Sequence, residues 1–354
     1  MQASQARRIL VRSTNWIGDA ILTMPAVQRL REAAPDAHLA MLCAAKLHDL
    51  WRHNPFLNEV IPFDPVPSSA ELRAGRFDLA VLFPNSFRSA WECWRAGIPV
   101  RVGFTGHRRR WLLTHAVSEP RDEQPVHESI EVNGVRFERK RFPAPRHQVH
   151  RYLDLVGRIG ANRHYVAPKI YLAHEELPPL SKFYQEDGRP LIGLNAGAEY
   201  GPAKRWLPER FAAVAGQVAQ EKLCRWLLLG GPGDVAIAEA LEAKLLAAGV
   251  AASSIINVAG RTSLPDLFVL LKCCRVLLTN DTGPMHVAAA LNTPVVAIFG
   301  STSPELTGPL GPHATVIRQP VECSPCFLRE CPIDFRCMQR VAAAPVAEAV
   351  LKLL

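Results

Sequence analysis

The feature that most constrains the fold is a short polar turn near residue 281, lying between two apolar runs. The run before it, Arg275–Thr279, has the composition of a buried strand, and Val295–Phe299 predicts a second one. Between them, Met285–Leu291 is rich in alanine and predicts a short helix. Parallel strands need a crossover connection of this kind, so the order strand, helix, strand indicates one unit of a parallel sheet. The turn therefore predicts an α/β fold.

The turn itself, Asn280–His286, also predicts a ligand site. Pro284 suits the first position of a helix, and we expect Asp281 or Thr282 to cap that helix. Helix N-termini at the carboxyl ends of parallel strands attract anions, because unpaired N–H groups and the helix dipole point there. A purely structural cap needs neither the carboxylate of Asp281 nor the imidazole of His286, so a binding role is the better explanation.

The alternation of strands and helices occurs twice along the chain, whose 354 residues are many for a single core. We predict a doubly wound α/β protein with two Rossmann-like domains, 1–175 and 176–340, facing a central cleft. Residues 341–354 are expected to form a terminal helix that packs back on the first domain. Ala167–Arg189, rich in proline and charge, is the predicted linker. In such folds ligands bind at the carboxyl ends of the strands.

The net charge of +8 is concentrated in one segment. Residues 86–151 contain thirteen Lys and Arg against seven Asp and Glu, with three tryptophans close to the arginine-rich stretches 108–110 and 139–141. A solvated basic face is the ordinary explanation. Motifs typical of nucleic-acid readers are missing, whereas an anionic substrate or a phosphate-rich membrane surface suits the charge. We find no apolar run long enough for a membrane span and no export signal, so we expect a cytoplasmic protein with reduced cysteines.

Two other loops carry candidate catalytic groups. Asp19 ends the first strand-to-helix turn, Asn15–Asp19, where it is either a helix cap or a general base. Lys204 lies in Gly197–Trp206, the first loop of the second half, whose glycines and neighbouring cations suggest a phosphate clamp. A surface loop with incidental cations is the alternative. The clamp is favoured because this loop and the Asp281 turn are expected at the same sheet edge.

Gly230–Asp234 resembles a turn that approaches a nucleotide, although it is neither a full Rossmann fingerprint nor a Walker A loop. The chain contains no Asp-x-Asp pair that would bridge a diphosphate through a metal ion. A metal-free mechanism fits better, in which a lysine and helix N–H groups stabilise the departing phosphates.

The cysteines near the C-terminus have the spacing closest to that of a metal site. Cys323, Cys326, Cys331 and Cys337 lie within fifteen residues, and four thiolates are a ligand set for zinc. Zinc ribbons normally supply two Cys-x-x-Cys pairs, and only the first pair has that spacing here. Buried reduced thiols are therefore the expectation, with bound zinc as the alternative.

Taken together, these residues resemble those of bacterial ADP-heptose:lipopolysaccharide heptosyltransferases, in glycosyltransferase family nine, and most of all its second-heptose branch. The resemblance covers nearly the whole chain. It rests on Asn15–Asp19, Gly197–Trp206, Asn280–Leu291, Ser301–Pro309 and the cysteines from Cys323 onward.

The resemblance implies a GT-B fold that binds the nucleotide sugar in its second half and a lipid-linked sugar acceptor in its first. It implies inverting, metal-independent transfer of heptose from ADP-L-glycero-D-manno-heptose to the first heptose of the lipopolysaccharide inner core, without a cofactor. We expect a monomer at the cytoplasmic face of the inner membrane, with no nucleic-acid partner. The alternatives are a heptosyltransferase of type I or III, a non-catalytic nucleotide-sugar-binding protein, and a UDP-sugar enzyme such as an epimerase.

Motif matching carries the family's roles to individual positions. Asp19 corresponds to the general base and Lys204 to the cation at the diphosphate. The positions assigned to ADP-heptose are Asp281, Thr282, Gly283, Pro284, Met285 and His286, with Asp234 near the ribose. On grounds of charge, the phosphorylated acceptor is assigned to Arg108, Arg109 and Arg110. Because Asp281 is negative, we expect it to bind sugar hydroxyls or to cap its own turn rather than to face the diphosphate.

Overall fold

The computed structural model describes residues 2–173, 175 and 177–354. The chain forms two compact units, each assembled from two segments. They are Met1–Gln124 with Arg146–Ala173, and Pro125–Pro145 with His174–Leu354. Within the described ranges, no helix is both long and apolar enough to span a bilayer.

The first unit is a six-stranded parallel sheet covered by helices. Its strands are β1 (Arg8–Arg12), β2 (His38–Ala44), β3 (Glu59–Phe63), β4 (Leu79–Leu82), β5 (Val100–Phe104) and β6 (His115–Val117). Its helices are α1 (Ile17–Ala33), α2 (His48–Trp51), α3 (Ser69–Ala74), α4 (Phe87–Arg95) and α5 (Gln148–Gly157). The strand order is β3-β2-β1-β4-β5-β6. The winding direction therefore reverses between β1 and β4, which marks a ligand-binding edge in open α/β sheets.

Continuous apolar runs explain the central strands of this sheet. Leu79–Leu82 is buried along its whole length, as is Ile9–Val11 of β1. Strands buried on both faces lack the alternating pattern of half-exposed strands, which is the rule for parallel sheets. Val11 pairs with Met41 on one side and with Val81 on the other.

The second unit repeats the same topology. Its strands are β7 (Val126–Val132), β8 (Val135–Arg141), β9 (Leu191–Asn195), β10 (Arg225–Leu228), β11 (Ile255–Asn257), β12 (Cys274–Asn280), β13 (Val295–Ile298) and β14 (Ala314–Ile317). Its helices are α6 (Pro208–Glu221), α7 (Val235–Ala247), α8 (Leu264–Cys273), α9 (Gly283–Ala290), α10 (Pro304–Thr307), α11 (Arg336–Gln339) and α12 (Ala343–Leu351). Its parallel sheet has the order β11-β10-β9-β12-β13-β14. The prediction of two doubly wound α/β units is confirmed.

The antiparallel hairpin formed by β7 and β8 belongs to the second unit, although its residues fall inside the range 1–175. Arg139 donates from its guanidinium to the carbonyl oxygen of Glu322 at 2.7 Å, and Lys140 N–H donates to Cys326 O at 3.3 Å. Both Arg139 and Arg141 also pair with Glu128 across the hairpin. The division by sequence did not anticipate this, because the contacts join segments almost two hundred residues apart.

The terminal helix and the linker both find partners in the second unit. The apolar side of α12, including Val346 and Val350, is part of the second core and packs on α6. Packing of this helix on the first domain stays a prediction. In the predicted linker, Lys182 forms an ion pair with Asp266 at 3.0 Å. The predicted domain boundary lies between residues 175 and 176. Residues 174 and 176 are outside the described residues, so this boundary stays a prediction.

Candidate active site

The candidate donor site lies at the carboxyl ends of β9 and β12. These strands are hydrogen-bonded neighbours in the sheet, and the chain leaves them in opposite directions, towards β10 and towards β13. The loop after β9 carries Lys204, and the turn after β12 carries Asp281. The two loops that the sequence predicts at one edge are therefore adjacent at the point where the strand order reverses.

Two buried asparagines fasten these loops to each other. Asn280 donates to Ala196 O at 2.8 Å and accepts from the backbone N–H of Trp206 at 2.9 Å. Asn195 donates to the hydroxyl of Thr282 at 2.9 Å. Buried amide side chains with several partners fix loop geometry, because breaking any of these bonds would leave a buried polar group unsatisfied. Sequence analysis assigned no role to Asn195 and included Asn280 only as the first residue of the predicted turn, although each asparagine ends a buried strand just before a candidate loop.

An ion pair joins the two loops at the edge of the sheet. Lys204 Nζ lies 2.6 Å from Asp281 Oδ2, and the Thr302 hydroxyl donates to the same oxygen at 2.6 Å. The Lys204 and Asp281 side chains are only 14% and 5% exposed. Lys204 also lies 4.8 Å from the ring centre of Tyr200, a cation–π contact. The ammonium is thus held in a single position by a carboxylate and an aromatic face.

This arrangement contradicts one of the two roles expected for Asp281, that of a helix cap, whereas binding of sugar hydroxyls stays a prediction. Its carboxylate does not cap the following helix, because the N-cap residue is Thr282. The helix begins at Gly283, so Pro284 occupies the second helical position rather than the first. Both observed acceptor contacts of Asp281 Oδ2 are with side chains, those of Lys204 and Thr302. Sequence analysis missed Thr302 as a site residue, although its Ser-Thr-Ser segment supported the family resemblance.

The first turn of α9 has no side-chain cap. Thr282 makes no side-chain cap bond to the helix, since its hydroxyl is engaged with Asn195. The N–H groups of the first turn and the positive end of the helix dipole are therefore not satisfied by a cap. Met285 is fully buried, so the structure does not support a ligand contact by its side chain. His286 is also buried, at 6% exposure.

Asp234 lies against the loop after β9. A Cβ atom added to Gly197 would lie 2.3 Å from the Asp234 carboxyl carbon, and Asp234 Oδ2 accepts from Gly231 N–H at 3.2 Å. Gly197 O in turn accepts from the Asn280 side chain at 3.3 Å. Glycine at 197 thus lets the carboxylate reach the same edge as the Lys204 loop. Asp234 is half-buried there, and its contact with a ribose stays a prediction.

The cysteine-rich segment, Cys323–Cys337, contacts the loops that carry this site. Tyr200 donates from its hydroxyl to Phe327 O at 2.7 Å, and Ala203 N–H donates to Arg329 O at 2.9 Å. Gly201 has φ = +154°, and a Cβ there would lie 2.5 Å from Arg329 O, so the loop approaches the segment closely. The N–H of Phe327 donates to Ser301 O at 2.7 Å. The segment therefore holds both the Lys204 loop and the Thr302 loop.

The four cysteines line one small, largely apolar cavity behind these loops. Burial raises the pKa of the Cys323 and Cys326 thiols and raises that of Cys337 to about 12. Cys323 and Cys337 are buried as expected, whereas Cys326 and Cys331 are half-buried. Among the residues that the structure describes, no group of three or more His, Cys, Asp or Glu side chains is arranged to hold a metal ion.

In the first unit, Asp19 lies at the corresponding reversal point, beside the end of β1. It is the third residue of α1, whose N-cap is Trp16, so Asp19 is not the helix cap. Gln148 donates to Asp19 Oδ1 at 3.2 Å and to the Tyr152 hydroxyl at 2.6 Å. Burial and the nearby Asp19 carboxylate raise the pKa of Tyr152, which keeps its hydroxyl neutral. Gln148 and Tyr152 had no motif in the sequence that marked them.

The arginine triplet divides into different environments. Arg108 and Arg110 are exposed, as an acceptor-binding role requires. Arg109 is fully buried, and its guanidinium donates to Phe104 O, Pro84 O, Ser86 O and Ser89 Oγ at 2.6–3.0 Å. Burial lowers the pKa of Arg109 to about 10. The structure does not support acceptor binding by Arg109, because its donors hold the ends of β4 and β5 together.

Comparison with known proteins gives a consistent family assignment. Residues 69–335 match the family model described as Glycosyltransferase family 9 (heptosyltransferase). Lipopolysaccharide heptosyltransferase 2 of Escherichia coli K12 is 32% identical over 330 residues, covering 88% of each chain. Lipooligosaccharide heptosyltransferase 2 of Haemophilus ducreyi is 31% identical over 329 residues, again 88% of each chain.

Solved structures resemble the whole chain. The structure of E. coli ADP-heptose LPS heptosyltransferase II has a TM-score of 0.79 and 29% identity, and the match covers 98% of both chains. A glycosyl transferase family 9 protein from Veillonella parvula also gives 0.79, at 24% identity over 100% of this chain and 98% of the other. The latter is a likeness in fold.

Proposed function

The chain belongs to glycosyltransferase family 9, the heptosyltransferase family, and from this premise we propose that it adds the second heptose of the lipopolysaccharide inner core. It is a glycosyltransferase with the GT-B fold. In the proposed reaction, ADP-L-glycero-D-manno-heptose is the donor and the first heptose of the lipid-linked core is the acceptor. The transfer inverts the anomeric centre and needs no metal ion. Curated relatives at 31–32% identity are named heptosyltransferase 2, which supports this choice within the family.

The observation that carries the proposal is the ion pair between Lys204 and Asp281 at the reversal point of the second sheet. Asp281 and Thr302 position the ammonium, which would meet the diphosphate together with the first-turn N–H groups of α9. A preorganised cation and helix N–H groups stabilise charge that grows on a leaving phosphate. Asp234 would bind the ribose. The second unit would therefore bind the donor.

In the first unit, Asp19 would act as the general base. Its carboxylate would take the proton from the acceptor hydroxyl while that oxygen forms a bond to the anomeric carbon of the heptose. The bond from that carbon to the ADP oxygen breaks, and its electron pair leaves with ADP. Gln148 donates to Asp19 Oδ1, so it would orient the carboxylate. This unit would bind the acceptor, with Arg108 and Arg110 near its phosphates.

We further propose that the enzyme acts as a cytoplasmic monomer in peripheral contact with the inner membrane, where its lipid-linked acceptor resides. This follows from the acceptor class and from the exposed positive charge of the first unit. A nucleic-acid partner is not part of the proposal.

The decisive experiment is incubation with ADP-heptose and with core acceptors bearing zero, one or two heptoses, followed by mass spectrometry. We expect a single heptose to be added to the acceptor that bears one. Addition to the acceptor without heptose would indicate a type I enzyme, and addition only to the longer acceptor a type III enzyme. ADP binding without transfer to any acceptor would indicate a non-catalytic protein. Tighter binding of UDP than of ADP in calorimetry would contradict the proposed donor.

The assignment of Asp19 has its own test. Asp19→Ala should lower turnover by about 10²–10⁴-fold, the usual contribution of a general base, while ADP affinity stays unchanged. Asp36→Ala is the matched control, because Asp36 is an exposed carboxylate of the same unit. Near-normal turnover of Asp19→Ala would refute the assignment.

A further inference from the structure

The first unit carries an exposed cluster of aromatic side chains outside the site described above. Phe87, Trp91 and Trp94 lie on α4, and Trp111 lies in the following 3₁₀ turn. Neighbouring rings contact one another, with centroid distances of 4.9 Å for Trp91–Trp94 and 6.1–6.3 Å for the contacts of Trp111. The side chains are 38–62% exposed. We call these four residues the aromatic cluster.

The spacing on α4 places these rings away from the core. Residues 87, 91 and 94 recur at helical intervals and so share one face. The buried residues of α4 lie on the other side of the helix, and they are Ser89, Ala90, Glu92 and Cys93. Scattered exposed apolar residues are common, but four contacting aromatic rings form a continuous patch, which in a folded protein marks an interaction surface.

The exposed charged residues next to the aromatic cluster in the chain are arginines. Arg88 and Arg95 lie beside the aromatic face on α4, and Arg108 and Arg110 adjoin Trp111; all four arginines are exposed. The only acidic residue between positions 86 and 112 is Glu92, which is buried and paired with Arg12 at 3.1 Å. The exposed charge of this segment is therefore positive.

We propose that the aromatic cluster, with Arg88 and Arg95, forms a docking surface for an anionic lipid bilayer, next to the two arginines assigned to the acceptor. Tryptophan and phenylalanine enter the interfacial region of a bilayer, where an indole has both apolar and polar surroundings. Arginines at the rim attract anionic headgroups and raise the protein's concentration at the surface. The inference rests on the proposed function in one respect, since a lipid-linked acceptor requires work at a membrane.

The test measures binding of the full chain to sucrose-loaded vesicles by sedimentation. We expect binding to phosphatidylethanolamine–phosphatidylglycerol vesicles, weaker binding at high salt, and little binding to phosphatidylcholine. Trp91→Ser/Trp94→Ser should weaken the partition coefficient at least tenfold. Arg88→Gln/Arg95→Gln should weaken it about 25-fold, on the scale typical for basic residues at anionic surfaces.

Matched controls lie on the second unit. Leu223→Ser removes an apolar side chain that is 76% exposed, and Lys222→Gln/Lys352→Gln removes two exposed charges. We expect both control variants to bind vesicles like the unmodified protein. Circular dichroism spectra at the assay temperature should show every variant folded, because the substituted side chains lie at the surface of the units.

Several outcomes would overturn the inference. Unchanged vesicle binding by the tryptophan variant would show that the aromatic cluster does not contact the bilayer. Equal binding of the unmodified protein to phosphatidylcholine and to anionic vesicles would show that charge does not contribute. A dimer in sedimentation velocity that the tryptophan substitutions dissociate would show that a second copy covers the patch.

Turnover with a deacylated, water-soluble acceptor separates the docking proposal from the proposed function. If the tryptophan variant no longer binds vesicles but turns over this acceptor normally, both the docking surface and the proposed function are supported. If vesicle binding persists without transfer to any acceptor, only the proposed function fails.

Discussion

Replacing Lys204 with methionine tests whether the ion pair with Asp281 serves the fold, the ligand or both. Methionine keeps most of the length of the side chain and removes the charge. The carboxylate of Asp281, only 5% exposed, would then keep one partner, the hydroxyl of Thr302. A buried carboxylate without its cation is strongly destabilising, because it has lost the charge that compensated for its removal from water.

The expected magnitude follows from this burial. Breaking a buried pair by removing one partner costs about 3–5 kcal/mol. The remaining bond from Thr302 places Lys204→Met near the lower end, at about 3 kcal/mol. With a urea m-value of about 3 kcal/mol per molar, the unfolding midpoint should fall by about 1 M. Asp281→Asn alone should cost less, since the Lys204 ammonium is 14% exposed and can turn towards water.

The assay is urea unfolding followed by hydrogen–deuterium exchange of peptides from β9 and β12, which reports the second unit specifically. The double variant Lys204→Met/Asp281→Asn should recover to within about 1 kcal/mol of the unmodified protein, because no unpaired charge remains. ADP affinity, measured by calorimetry, should fall about 10- to 100-fold in Lys204→Met, as for loss of a charge-assisted hydrogen bond. It should not recover in the double variant.

Two results would refute this reasoning. A midpoint shift below about 0.3 M for Lys204→Met would mean that the pair is not effectively buried, since the argument rests on the cost of an unpaired charge. Recovery of ADP affinity in the double variant would show that Lys204 does not contact the diphosphate. Lys222→Met is the control, because Lys222 is exposed and should change neither quantity.

Three other outcomes are expected. Gly197→Ala should lower stability by about 1–3 kcal/mol through overpacking, and Asp234→Ala in the same chain should restore it; no restoration would contradict the contact between them. Arg109→Gln should destabilise the first unit by about 2–4 kcal/mol in urea unfolding, because the Arg109 guanidinium donates to backbone carbonyl oxygens. The KM for the acceptor should stay unchanged. A raised KM without loss of stability would show that Arg109 binds the acceptor. In iodoacetamide labelling at pH 8, read by mass spectrometry, Cys337 should stay unmodified and the exposed Cys273 should react first. Burial raises the pKa of Cys337 to about 12, so its reactive thiolate forms only as the pH approaches that value.

Much of the fold could be predicted from the sequence, because local patterns carry it. The buried strand Val295–Ile298 is a continuous apolar run, and the predicted strand Val295–Phe299 agrees with it to within one residue. The helix predicted over Met285–Leu291 is observed at Gly283–Ala290. Such elements follow from side-chain periodicity, which a short window of residues contains.

Elements made by distant contacts were not predicted. The hairpin of β7 and β8 has a charged, exposed pattern, and it joins the second unit through bonds such as that from Arg139 to Glu322 O. The short edge strand β11 has only half-buried residues. The hairpin has a local signal, the Asn133-Gly134 turn between strands that alternate in burial, although the prediction did not use it. The short strand β11 has no such signal, and for both segments long-range contacts decide where they lie.

The candidate site shows the same division. Residue types and loop positions in the sequence marked Asp19, Lys204 and Asp281, and the strand order brings the last two together. Sequence reasoning could not show that Asp281 binds Lys204, because the partner of a carboxylate depends on where two loops end in space. For the same reason it could not separate buried Arg109 from its exposed neighbours.

The sequence by itself therefore determined the class of the fold, the family and the loops on which the chemistry depends. Apolar periodicity, turn residues and helix-start signals are local properties, so they can be recognised in the amino-acid sequence without the structure. The tertiary structure alone decided which polar groups meet. It joined Lys204 to Asp281 and Thr302, placed Gln148 against Asp19, and left the aromatic rings of α4 facing solvent. Pairing and exposure are set by contacts between residues far apart in the chain, and no short segment contains that information.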